Sequence, residues 1–214
     1  MFTALLCISC GAVTAQNLSS MRASQRNALL ISIAKETVLI FGPDYYREYG
    51  EPIIRRMQTP PQGALNPGGE NAGRYFYTVT FLYDRTHEMF YSSFAAQVAI
   101  WEDTGKPAAV TFGNGFFFGL PEHRTWNVGE VEPMPFQRAM PFPDYDFSNP
   151  DPNQVPRNID ELTRHGLVRD EYGNWVRTRP DEPPAEAQRV IRRAQEELRQ
   201  RQAQREKEGS GGRR

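Results

Sequence analysis

Arg74-Tyr75-Phe76-Tyr77-Thr78-Val79-Thr80-Phe81-Leu82-Tyr83 reads as a β-strand, and this stretch decides the fold. Tyr75, Tyr77, Val79 and Phe81 alternate with Phe76, Thr78, Thr80 and Leu82, mostly the β-branched and aromatic types that suit a pleated surface. Forward of it, Asp84–Glu88 is a loop. Met89–Trp101 is a second run, with Phe90, Phe94, Ala96, Val98 and Ile100 on one face. Asp103-Thr104-Gly105-Lys106 turns the chain, and Ala108–Phe118 returns. These gaps are too short for crossover connections, so the runs are expected to be antiparallel neighbours. Backward of it, Pro52–Met57 reads as an edge strand, because its proline cannot donate to a ladder. Residues 59–73 hold Pro60-Pro61, Pro67-Gly68-Gly69 and Gly73, and read as a loop. Further back, Ser24 is placed to cap a helix with apolar positions Ala28, Leu29, Ile33, Val38 and Phe41, stopped by Gly42-Pro43.

The expectation is an α+β fold: an N-terminal helix packed on a curved, four-stranded antiparallel sheet. Over about 100 residues this element order resembles the cystatin-like and NTF2-like architectures, in which a curved sheet wraps a helix. Gln97-Val98-Ala99-Ile100-Trp101 lacks the glycine of the cystatin inhibitory hairpin, so inhibition of that type is not implied. An NTF2-like cone would imply a pocket inside the sheet. Catalysis there needs a buried acid–base pair, and the strands offer no inward His or Asp.

The domain reading is a signal peptide over 1–15, a sandwich domain over 16–120, a Pro- and aromatic-rich arm over 121–157, a short helix plus hairpin over 158–180, and a charged helix with its tail over 181–214. Phe2–Val13 is mostly apolar, of signal-core length and too short to span a bilayer. Val13-Thr14-Ala15 presents small residues for cleavage, leaving Gln16 first. No Lys or Arg precedes the apolar run, and a start upstream of Met1 would supply one. Bulky Leu6 before Cys7, and Cys7 where a lipidation signal at Cys10 wants Leu, argue against a lipidated cysteine. Both cysteines lie within this leader, so the mature chain would have no disulfide, thiolate metal site or cysteine nucleophile.

Eleven of the seventeen prolines fall between Pro121 and Pro184, favouring extended backbone. The interleaved Phe136, Met140, Phe142, Tyr145 and Phe147 suggest an arm that packs on the sheet domain or on a partner. Asn158 is placed to cap a short helix over Ile159–Arg164. Leu167–Arg169 and Trp175–Arg177 read as a small hairpin, unstable unsupported. From Pro184, Val190, Ile191, Ala194 and Leu198 form a thin apolar stripe, fitting a solvent-exposed helix or one that docks a partner or coils. Arg193/Glu197 and Glu197/Arg201 are spaced to support that helix.

Net charge is −1 over 214 residues, which points to no nucleic-acid partner, and no later segment is apolar enough to cross a membrane. His87, His123 and His165 show no metal-ligand spacing, and no nucleophile elbow occurs. His165 suits a helix C-terminus, and Gly113-Asn114-Gly115 suits a bulge or bend. Asp144, Asp146, Asn149, Asp151 and Asn153 are hard oxygen ligands without the EF-hand spacing. No catalytic residue, cofactor or metal is therefore assigned. Tyr45, Tyr46, Tyr49, Tyr75, Tyr77 and Tyr83 form the candidate binding surface, since tyrosine is enriched where partners or sugars bind. They would line a site only if one sheet face is uncovered. The favoured expectation is that the helix covers one face and the aromatic arm the other. The functional expectation is an exported, noncatalytic envelope protein, periplasmic or extracellular, that binds a protein or surface component. The alternative is a small-molecule-binding or enzymatic NTF2-like domain.

Overall fold

The computed structural model describes residues 17–64, 68–139, 167–169, 171–173, 175–177 and 181–211. The expected leader, the oxygen-rich cluster Asp144–Asn153, the helix expected at Ile159–Arg164, His165 and the arm beyond Ala139 lie outside them. The fold is α+β. Helix α1 (Ala23–Phe41) precedes a five-stranded antiparallel sheet of β1 (Ile53–Gln58), β2 (Tyr75–Phe81), β3 (Ala96–Trp101), β4 (Pro107–Phe112) and β5 (Phe117–Gly119), in that spatial order. A separate two-stranded ladder pairs β6 (Leu167–Arg169) with β7 (Trp175–Arg177), and helix α2 (Ala185–Gly211) follows. β1 is an edge strand, as Pro52 requires.

Five strands replace the expected four because Gly113-Asn114-Gly115 is a hairpin turn rather than a bulge. The Gly115 N–H donates to Phe112 O at 2.9 Å, and Gly115 takes φ +89°, the left-handed geometry that closes a three-residue hairpin loop. The run expected from Met89 begins only at Ala96. Residues 89–95 instead fold back through the Ser92 N–H to Gly113 O bond at 2.9 Å and the Gly113 N–H to Ala95 O bond at 2.7 Å. At Gly113 a Cβ would sit 2.6 Å from Phe90 Cγ and 2.8 Å from Phe94 O, so only glycine permits that approach.

Cross-strand register puts Tyr77, Val79 and Phe81 beside Ile100, Val98 and Ala96, and these beside Val110 and Phe112. This inner face packs on α1 to form the core. Ser24 does not cap α1. Arg22 stands at the N-cap without a side-chain bond. Nor does a single stripe suffice: Thr37–Phe41 are all buried, because the sheet covers one side of the helix while α2 and residues 121–139 pack around the rest. Ala28, expected on the apolar face, is exposed.

Helix α2 is neither solvent-exposed all round nor left waiting for a partner. Ala187, Ile191, Ala194 and Leu198 are buried against α1 and the turn Pro43–Tyr45. Lys35 Nζ reaches Glu197 Oε2 at 3.3 Å, Arg205 reaches Glu36 at 3.3 Å, and Arg193 pairs with Glu48 rather than Glu197. Glu197–Arg201 forms as expected, at 3.9 Å. The described part of the arm also packs on the helix side. Trp126 stacks edge-on against Phe41 at 5.3 Å, the Met134 N–H donates to Phe41 O at 2.7 Å, and Phe136 is buried beside Tyr45 and Phe90. The described part of the arm, residues 121–139, therefore does not supply the second layer expected on the outer sheet face.

Candidate functional site

The six candidate tyrosines do not share one surface. Tyr45 is fully buried, its hydroxyl donating to Pro135 O at 3.0 Å and accepting the Gln137 N–H at 2.9 Å. Tyr46 is buried beneath Lys35 and donates to Glu48 Oε1 at 2.9 Å, and burial pushes both phenols well above their ordinary range. Tyr83 is buried, bonded to Ser92 O at 3.3 Å and to the Phe90 N–H at 3.2 Å. These three tie α1's end, the loop after β2 and the arm into one core. Tyr77 is buried at the margin of the inner face and donates to Glu102 Oε1 at 2.9 Å. Tyr49 and Tyr75 remain exposed, and Arg56 lies 3.8 Å above the Tyr75 ring.

Two residues without a sequence signal organise the loop after β2. Arg47 and Glu88 form a bidentate ion pair, Nε–Oε1 at 2.5 Å and Nη2–Oε2 at 2.7 Å. Arg47 also donates to the carbonyls of Asp44 and Tyr46, and its guanidinium lies 5.6 Å from the Phe136 ring centroid and 5.8 Å from that of Phe90. A second cluster sits at the far end of the sheet. There Glu102 accepts paired bonds from Arg56 at 2.9 and 2.7 Å, which hold its carboxyl below the usual range.

The groups that chemistry would need are dispersed. Exposed His87 Nδ1 lies 2.9 Å from Asp84 Oδ2 and 3.1 Å from Thr86 Oγ1, and all three belong to one short turn that the Asp84 carboxylate caps. His123 is exposed. Among the described residues no group of three or more His, Cys, Asp or Glu is placed to hold a metal ion. A groove of about 350 Å³ beside α2 is lined mainly by polar side chains, among them Asp44, Glu182, Gln188 and Arg192. Burial raises the Asp44 carboxyl above its ordinary value.

The outer sheet face is the surface that remains. No described helix packs on it, and register orders it into rows. Arg55, Thr78, Ala99, Ala109 and Gly119 lie side by side across all five strands. One row away stand Ile53, Thr80, Gln97, Thr111 and Phe117, and on the other side Met57, Phe76 and Trp101. The small residues Thr78, Ala99, Ala109 and Gly119 thus form a low strip about 14 Å long between flanks about 13 Å apart. Its middle is half-buried and uncharged, and exposed Arg55 stands at the β1 end. Sequence reasoning missed this strip. The signal was available, since Thr78, Ala99 and Ala109 are the small residues at outward positions of successive strands.

No protein-family model, no curated protein and no solved structure matches the chain.

Proposed function

We propose that the chain is an exported, noncatalytic protein of the cell envelope that binds a protein or surface component across the open face of its sheet. The observation that carries this reading is the strip Thr78-Ala99-Ala109, which a second backbone can approach closely and which no described helix covers. Exposed Ile53, Met57 and Phe117 and half-buried Phe76, Gln97 and Thr111 flank it, a mix of apolar and polar side chains suited to a binding patch. Export rests on the apolar leader and its small-residue cut after Ala15. That cut leaves intact Leu18, the first core side chain among the described residues. The helix-first order that resembles cystatin-like and NTF2-like architectures enters as an architecture, not as an activity. A ligand pocket between helix and sheet would have to displace Val79, Val98, Val110 and Phe112, all fully buried.

The test compares the purified chain with its Thr78→Lys and Ala109→Lys variants in pull-downs from envelope fractions. Point variants are preferred to removal of residues 184–214, because α2 contributes to the core. A partner retained by the parent chain and lost by both folded variants supports the reading; equal retention, or none, refutes it. Mass spectrometry of the mature N-terminus tests export separately, with Gln16 as the expected first residue.

A further inference from the structure

The ten large apolar side chains that stand exposed among the described residues are unevenly placed. Six of them, Tyr49, Ile53, Met89, Tyr91, Phe116 and Phe117, lie at one end of the five-stranded sheet. Register fixes that end: Ile53 opens β1 opposite Thr80, residues 89–95 join β2 to β3, and Phe116 and Phe117 follow the β4–β5 turn. The other end carries the charges. There Arg74 pairs with Asp103 at 2.8 Å and with Glu122, over the Trp101 ring, while Glu102 pairs with Arg56.

We propose that this apolar end is a contact for the surface of a phospholipid bilayer. The arrangement of Phe116 and Phe117 selects that partner. They are 52% and 65% exposed, and they leave the hairpin on opposite faces, since Phe117 pairs with Thr111 of the outer row while Phe116 faces inward-pointing Phe112. A flat protein surface covers one of them and leaves the other in water. A fluid apolar medium surrounds the ribbon and takes both. Aromatic rings and methionine suit the headgroup–acyl boundary. The base is held firmly as well: the Arg47–Glu88 pair, the Tyr83 hydroxyl on the Phe90 N–H and the Ser92–Gly113 bond fix the loop that carries Met89. Charges near this end are mixed, exposed Arg85 against exposed Glu51 and half-buried Asp84, so apolar burial rather than headgroup charge drives the contact.

The test is flotation of the full chain with phosphatidylcholine vesicles, with and without phosphatidylglycerol. The parent chain is expected to partition onto both, and Phe116→Ser/Phe117→Ser to weaken partition about tenfold or more. Met89→Ser should weaken it less, and Met57→Ser, at the charged end, not at all. Circular dichroism checks that each variant is folded, and Met89→Ser gives an independent reading if the double variant is not. No partition by the parent chain, or equal partition by all variants, overturns the proposal. Loss of a retained protein by the double variant, with no vesicle binding by either chain, also overturns it and assigns the tip to a protein pocket. Thr78→Lys should bind vesicles like the parent chain, so failure here is separable from failure of the protein-binding reading.

Discussion

Arg47 and Glu88, on opposite sides of the β1–β2 hairpin in sequence, meet as a bidentate ion pair whose side chains are only 5% and 3% exposed. Two charges out of water cost several kcal/mol each, which their attraction recovers only when the remaining donors are also satisfied. Here they are, by the carbonyls of Asp44 and Tyr46. The pair joins the turn after α1 to the loop before β3, where no regular ladder runs.

Removing one partner leaves the other charge buried. Glu88→Ala and Arg47→Ala are each expected to cost about 3–5 kcal/mol in urea unfolding. The joint change Arg47→Met/Glu88→Leu should cost much less than the two losses added together. A cycle that sums without coupling would show that the pair does not act as a unit.

Close approaches at two glycines make a graded prediction. A Cβ at Gly42 would lie 2.6 Å from the Phe112 ring, and Gly42 is extended at φ −167°, so its constraint is space alone. Gly42→Ala is expected to lose about 1–3 kcal/mol as the ring is displaced. Gly113→Ala should lose more, because the obstacle includes Phe94 O, a backbone atom that cannot rotate away. Thermal unfolding of the two variants orders them.

Helix α2 is held by apolar burial more than by its charges. Leu198 is 1% exposed, and Leu198→Ala should cost about 2–5 kcal/mol through the cavity it leaves. Lys35→Gln removes the pairs to Glu48 and Glu197, both partly solvated, and should cost less than about 1 kcal/mol. A larger effect at Lys35, falling with added salt, would reverse that order.

Acid should destabilise the fold along a defined limb. Bonds from Arg56 hold Glu102 below its ordinary value, Arg74 does the same for Asp103 and Glu122, and the Thr86 and His87 bonds bring Asp84 to about 2. For Glu48, burial pushes upward but the Tyr46 bond and the charges of Arg193 and Lys35 win, and it too is lowered. Lowered carboxylates contribute stability above their unfolded values, near 4, and that stability is lost as pH falls through the folded ones. Asp44, raised by burial, runs the other way and offsets part of the loss. Urea midpoints should be flat from pH 7 to about 5 and fall toward about 2. Arg56→Gln should make that fall shallower by returning Glu102 toward its ordinary value.

The strands were legible where alternation was strict. Tyr75–Phe81 carries period two and a buried face together, and Pro52 marked the edge. Met89–Ser93 has aromatic residues of strand type but folds as a loop, since its conformation is set by bonds to Gly113 and by Phe90 filling the space above it. Those are tertiary facts that no local window contains. The tyrosines misled for a related reason. Composition marks tyrosine as amphipathic, whereas Tyr45, Tyr46, Tyr77 and Tyr83 each find a hydroxyl partner inside the fold and are buried. The partner of the α2 stripe was likewise invisible, because it is α1 of the same chain.

The placement of α2 has a consequence for timing. The core draws on Leu18 near one end of the sequence and Leu198 near the other. Until Ile191 and Leu198 are available, one side of α1 and the turn after it stay uncovered, and the fold lacks its closing layer. A growing chain therefore cannot finish its interior before residue 198 has been made.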